Sequence, residues 1–199
     1  MFGLIKNQSG ETLDYTFHQG LADSLDLFII GHGVTGNKDR PFVVALAEAV
    51  ANAGIHTLRF SFAGNGSSEG EFRDCTISKE VEDLQAVLTT AVENGYRVTY
   101  AGHSMGGAVG VLATAHDSRI QFLISLAGMV NTEKFYETEF GEEIPDKGCM
   151  WEETDCPLSS KFADDLRTIQ STAPQAAQIS VPWLLVHGTT DDVVLIDDS

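Results

Sequence analysis

The sequence predicts an α/β fold built on a mostly parallel, doubly wound sheet, and three observations carry that prediction. Short stretches of strand length alternate with longer ones of helical periodicity along most of the chain. Residues 25–30 run almost continuously apolar and 120–126 read as another buried strand, the pattern of strands covered on both faces. Residues 97–113 read as a strand, a forced turn and a helix, with Ser104 at the apex. Strands and helices in this order imply right-handed crossovers, and the ligand crevice of such a sheet lies at the carboxyl ends of its strands.

Composition narrows the classes of function. With 199 residues, 43% of them hydrophobic, the chain is long enough to bury one core, so a single domain over 1–199 is expected. No early apolar run has a basic lead and a small-residue cleavage site, and no uncharged stretch is long enough to cross a bilayer. A cytoplasmic protein with no membrane span is the resulting expectation. The formal charge of -17 opposes phosphate backbones and anionic membrane surfaces, which argues against nucleic acid as a partner. Cys75, Cys149 and Cys156 are too few for a disulfide scaffold, and no histidine near the last two completes a zinc spacing. Free thiols are expected, a Cys149–Cys156 bridge being the alternative, and no metal or other cofactor is implied.

Taken in order, residues 2–5 and 12–18 favour strands and flank the turn-forming 7–10, which suggests an antiparallel hairpin at a sheet edge. The strand 25–30 breaks into Gly31-His-Gly-Val-Thr-Gly-Asn37. From Pro41, suited to a first helical turn, Phe42, Val43, Leu46, Ala47 and Val50 recur at helical spacing until Gly54 supplies a stop. A strand at 56–62 precedes the glycine- and serine-rich 63–70. A second helix is predicted from about Ile77, with Ile77, Val81, Leu84, Leu88 and Val92 on its apolar face and Lys79, Glu80, Glu82 and Asp83 on its wet one. The stretch 129–179 breaks the rhythm. It holds nine Asp or Glu against two Lys between Met129 and Ser160, then a helix near 162–169. An insert of this length over the carboxyl edge reads as a cap above a substrate pocket. Its acidity is read first as a solvated face that keeps the protein soluble, the alternative being a preference for neutral or cationic substrates. A last strand, 181–186, leads into His187-Gly-Thr-Thr-Asp-Asp-Val-Val194.

The chemistry concentrates on the turn Gly102-His-Ser-Met-Gly106. A nucleophile there is held in a strained conformation, so the residues two before and two after it must be nearly free of side chain. Gly107 and Gly110 lie on one side of the following helix, where they let helix and strand approach. Three loops at one sheet edge thus hold a serine, a glycine loop and a carboxylate, the parts an acyl-transfer site needs. Gly31-His-Gly-Val-Thr-Gly36 also fits the dinucleotide pattern Gly-x-Gly-x-x-Gly. Yet polar 37–40 separates it from the next helix, and the following strand ends without an acid, so that reading is the weaker one.

Together, residues 32–37, 62–70, 102–106 and 187–191 resemble the serine-hydrolase branch of the α/β-hydrolase superfamily that contains cinnamoyl and feruloyl esterases, monoacylglycerol lipases and acylaminoacyl peptidases. The resemblance runs from about Leu25 to the end of the sequence. It implies the α/β-hydrolase fold and a hydrolase of small-molecule acyl esters or amides. Ser104 would be the nucleophile that forms an acyl-enzyme, the backbone N–H groups of Val34 and Met105 the oxyanion hole, and Asp191 the triad carboxylate, with Asp192 its neighbour to test.

One part of the pattern is missing. The family order is Ser, then Asp or Glu, then His, but only eight residues follow Asp191 and none is histidine. His103 adjoins the nucleophile on a turn expected to point the two side chains apart. His32 and His187 each precede a glycine and are expected to brace their loops; His18, His56 and His116 are predicted to lie away from the pocket. Two readings follow. In the preferred one the chain is the amino-terminal part of a longer serine hydrolase, lacking the last strand and helix and with them the histidine, which would leave 181–186 an uncovered edge. In the other it is a catalytically inactive hydrolase-like binding or scaffold protein.

Overall fold

Extended apolar segments and amphipathic helices alternate in the computed structural model, which describes residues 2–198. A small antiparallel pair comes first, β1 (Ile5–Lys6) with β2 (Thr12–Leu13), closed through the turn at 7–10. The expected hairpin is present, but it forms its own two-stranded sheet; the next strand, β3 (Tyr15–His18), is the one that joins the main sheet. Then follow β4 (Asp26–Gly31), α1 (Pro41–Asn52), β5 (His56–Phe60), α2 (Ile77–Glu93), β6 (Arg97–His103), α3 (Met105–His116) and β7 (Ile120–Leu126). Helices α4 (Thr132–Phe140), α5 (Ser160–Ile169) and the short α6 (Ala173–Ala176) precede β8 (Trp183–Val186).

The main sheet has the order β3-β5-β4-β6-β7-β8; β3 runs antiparallel to β5 and the other pairs are parallel. The chain leaves β4 to one side for β5 and then crosses to the other side for β6, so the order reverses between β4 and β6. Gly31 of β4 is in register with Gly102 of β6 there. The loop after β4 and the turn after β6 therefore open side by side at the switch point, where sheets of this kind bind ligands.

Helices α2 and α3 cover one face over the larger core, around Leu27, Ile29, Leu58, Phe60, Tyr100 and Leu123. Helix α1 covers the other over Phe28, Ile30 and Ala101, burying Val43 and Ala47. Its Pro41 occupies the first turn, and Gly54 ends it at φ +100°. Three expectations need correcting. Phe42 is not a core residue of α1 and instead packs against His103 at a tilt, ring centroids 4.6 Å apart. Strand β7 is not covered on both faces, since Phe122 is exposed. On α2 the predicted wet residues Glu80 and Asp83 are buried while Val92 is exposed. Glu80 and Asp83 fall at helical spacing with Ile77, Leu84 and Val87, so the burial follows the helix period in spite of residue type. Asp83 is matched by an N–H from Ala63 (2.7 Å) and the side-chain amide of Asn7 (2.7 Å). Burial holds the Glu80 carboxyl far above the ordinary carboxylate range, and neither of its oxygens has a hydrogen-bond partner.

At the other end of the sheet, β8 is an edge strand with Leu184, Leu185 and Val186 exposed. The three cysteines are free thiols. Among the described residues no helix is long and apolar enough to cross a membrane.

Candidate active site

Ser104 sits between β6 and α3 with φ +51° and ψ -116°, a backbone conformation that L-residues adopt only when their surroundings enforce it. Those surroundings are backbone. The Ser104 N–H donates to Leu126 O (3.0 Å) on the neighbouring strand, and its carbonyl accepts from Gly107 N–H (2.9 Å) and Met129 N–H (3.0 Å). The flanking glycines are needed because of crowding. A methyl on Gly102 would overlap the Gly106 carbonyl, and one on Gly106 would stand 2.6 Å from His32 O and 2.9 Å from Gly31 O. Farther along α3, Gly107 meets the Gly128 backbone as expected of a close approach. Gly110 instead leaves room for the Tyr100 ring, whose hydroxyl donates to Gly106 O (3.0 Å) beneath the turn.

The loop after β4 is pressed against this turn. A Cβ on Gly33 would lie 3.0 Å from Ser104 Cβ, so this glycine serves the serine's neighbourhood and the dinucleotide reading loses its footing. Its brace is His32. The Phe62 N–H donates to His32 Nε2 (3.1 Å), which leaves the proton on Nδ1 to be donated to Gly33 O (2.8 Å). Burial holds this imidazole's pKa down to about 4, so it is neutral at pH 7. The N–H groups of Val34, in this loop, and of Met105, at the first position of α3, have no protein acceptor among the described residues. Val34 lines the cavity beside Ser104, whereas Met105, directly after Ser104, is buried and is not among the lining residues.

Asp191 follows β8 and faces the same cavity as Ser104, whereas its neighbour Asp192 lines a separate shallow depression with Asn131 and Leu195. Its Oδ1 accepts from the N–H groups of Val193 (3.1 Å) and Val194 (2.9 Å), and Oδ2 lies 3.8 Å from His187 Nε2. Asp191 thus fixes its own turn while presenting charge to the cavity. His187 Nε2 lies 2.7 Å from Val194 O and braces this loop as His32 braces the other. His103 also lines the cavity, its ring tilted against Phe42; burial lowers its pKa and the Asp191 charge partly restores it. His18 accepts from Arg59, and His56 accepts from Gly20 N–H at the opposite end of the sheet. No described histidine hydrogen-bonds the Ser104 hydroxyl.

The cavity holds about 320 Å³ and brings together Ser104, Val34, Asp191, His32 and His103. Sequence reasoning missed four of its walls: Arg40, Phe42, Trp151 and Ala127. Arg40 and Phe42 flank Pro41 at the start of α1, and a helix that begins beside a strand's carboxyl end opens toward the site; that signal was available. Trp151, in the segment between β7 and β8, is held by its Nε1–H to Glu139 Oε2 (2.8 Å) and rings packed against Phe140. None of that segment's acids lines the cavity, as a solvated face requires, so the alternative of an acidic lining that selects neutral or cationic substrates has no support there.

The protein family described as serine aminopeptidase, S33 matches residues 24–144. Among curated relatives, the bovine protein named palmitoyl-protein thioesterase ABHD10, mitochondrial, is 25% identical over 180 residues, 81% of this chain and 56% of its own length. An uncharacterised 31.7 kDa protein of Escherichia coli is 27% identical over 120 residues, 58% of this chain and 42% of its own. The chain thus spans about half the length of these curated relatives. Among solved structures, Est1E from Butyrivibrio proteoclasticus, with ferulic acid bound, superposes with a TM-score of 0.83 at 27% identity, covering 98% of this chain and 82% of that one. Mouse ABHD10 superposes with a TM-score of 0.70 at 20% identity, a likeness of fold.

Proposed function

The chain belongs to the serine aminopeptidase S33 family of α/β hydrolases, and from that premise we propose that it is a serine hydrolase of small carboxylic esters, thioesters included, acting through an acyl-enzyme on Ser104. The observation that carries this reading is a serine held at φ +51° on a strand-to-helix turn, facing one cavity with a glycine loop and Asp191. The Ser104 hydroxyl attacks the acyl carbonyl, the alcohol or thiol departs, and water releases the acid. The oxyanion forms against the N–H groups of Val34 and Met105, where one donor contributes on the order of 3 kcal/mol to the transition state. Asp191 takes the place of the triad carboxylate, whose role is to orient and stabilise an imidazolium, though no described histidine bonds the Ser104 hydroxyl. The likeness to proteins named for ferulic acid binding and for palmitoyl thioester cleavage supports the ester and thioester class.

The reading that this chain lacks a base for Ser104 is supported by His32 and His187 bracing their loops and by the absence of a hydrogen bond from any described histidine to the Ser104 hydroxyl. The 199-residue chain is therefore expected to turn over slowly, at about a thousandfold above water from the oxyanion hole and binding alone. The test is intact-mass analysis after incubation with a neutral alkyl fluorophosphonate. One adduct, absent in Ser104→Ala, is expected. Labelling that survives Ser104→Ala, or none in either protein, would overturn the assignment. Fast, saturable ester turnover abolished by Ser104→Ala would show that a base is present after all.

A further inference from the structure

The charges that face the cavity do not match the charge of the protein. Acids outnumber bases by 29 to 12, and the segment between β7 and β8 is acidic, yet among the described residues only one carboxylate, Asp191, lines the cavity. Opposite in sign stands Arg40, and its neighbours His32 and His103 have lowered pKa values and carry no charge at pH 7. Arg40 is the cation of this site.

Its placement is prepared by the backbone. Pro41 holds Arg40 in an extended conformation (φ -57°, ψ 136°) at the head of α1, and its N–H donates to Asn37 O (3.3 Å). One guanidinium nitrogen, NH2, donates to Thr35 O (2.9 Å), which ties the side chain to the loop that carries Val34. Among the described residues it pairs with no carboxylate, although its sequence neighbour Asp39 bonds both Lys38 and Arg59. The remaining guanidinium donors are left for a ligand, and a planar fork of this kind matches a carboxylate with two parallel bonds. Asp191 does not neutralise it within ion-pair distance; that carboxylate is occupied by the turn at Val193 and Val194 and lies near His187. Arg40 lines the cavity together with Ser104 and Trp151.

We propose that Arg40 is a specificity-determining residue that binds a free carboxylate on the acyl or alcohol portion of the substrate, so that the site prefers half-esters of dicarboxylic acids, or esters of similar anionic form, over neutral esters. This rests on the reading of the cavity as a hydrolase site. It reverses the preference suggested by the acidity of the 129–179 segment, because those acids stay away from the cavity.

The experiment separates binding from turnover. Ser104→Ala protein is titrated calorimetrically with monoethyl adipate, which has one free carboxylate, and with neutral diethyl adipate. The monoester is expected to bind about tenfold more tightly, with the ratio shrinking as NaCl rises from about 50 to 500 mM. Adding Arg40→Gln should remove that preference and leave the diester's affinity unchanged, while Arg40→Lys should keep part of it as a point charge. Equal affinities for the two esters, binding of neither, a preference that survives Arg40→Gln, or parallel weakening of both esters would each overturn the proposal. Should Arg40→Gln not fold, the monoester-to-diester ratio and its salt dependence in the Arg40 protein decide the matter. Failure of the hydrolase reading is registered separately, by the neutral fluorophosphonate.

Discussion

Ser104 and Asp191 face one cavity, but the molecule holds them by different means. Ser104 is fixed from outside itself: its backbone is bonded to Leu126, Gly107 and Met129, two glycines, Gly102 and Gly106, let neighbouring backbone close in until no methyl group fits, and Gly33 brings the glycine loop into tight contact with it. Asp191 is fixed by what it does locally, through its own carboxylate on Val193 and Val194 and a weak backbone bond to Gly188 O at 3.3 Å. A strained conformation persists only where surrounding structure over-determines it. The nucleophile turn is therefore intolerant of change but insensitive to the identity of the serine side chain, whereas the Asp191 turn depends on the side chain itself.

The strongest way to break this contrast is at Gly106. In Gly106→Ala the new methyl meets two backbone carbonyls, those of His32 and Gly31, that cannot rotate away. A loss of about 4 kcal/mol in urea denaturation, or failure to fold, is expected. Gly95→Ala is the control. Gly95 has φ +82° but open space around its Cβ position, so only conformational strain of about 1 kcal/mol is expected. Equal losses at the two positions would mean that the turn is not crowded as described.

His32 tests the brace under the glycine loop. Its pKa is about 4 in the folded protein against 6.5 in the open chain, so between these values the unfolded state binds the extra proton. Stability from this group is present above pH 6.5 and is lost as pH falls toward 4, by roughly 3 kcal/mol over the whole window. Denaturation followed across that range, with an NMR titration of His32, checks both sign and size. A normal His32 titration near 6.5 would remove the brace from the account.

The asymmetry between the two regions also explains what could be read from the sequence. The turn at Ser104 was legible because its requirement, glycine two residues either side of the serine, is local and cannot be met by other residue types. The alternation of strands and helices up to 126, and with it the mostly parallel sheet, was legible from period, whereas the strand order and the helices at 132–140 and 173–176 were not. The face of α2 was misread where residue type was allowed to overrule period: Glu80 and Asp83 lie on the buried stripe, and what satisfies Asp83 comes from Asn7 and Ala63, far away in sequence. Trp151 was beyond reach, since it arrives at the cavity through a segment without a repeating pattern. Asp191 could be named from its loop, but its present hydrogen bonds to Val193 and Val194 are tertiary detail no motif specifies.

Those bonds allow the carboxylate's two roles to be separated. Asp191→Asn keeps an oxygen where Oδ1 accepts from Val193 and Val194, so stability is expected to change by less than about 0.5 kcal/mol. Asp191→Ala removes the acceptor and is expected to cost about 1 kcal/mol. The charge reads out elsewhere. Asp191 raises the pKa of His103 against the lowering effect of burial, so both variants should move the His103 titration to lower pH by the same amount, whatever they do to stability. A loop held by its side chain predicts that stability separates Asn from Ala while the His103 shift does not. If instead Asn destabilised as much as Ala, the charge and not the turn would be holding the loop, and Asp191 would resemble Ser104 in being fixed by its surroundings.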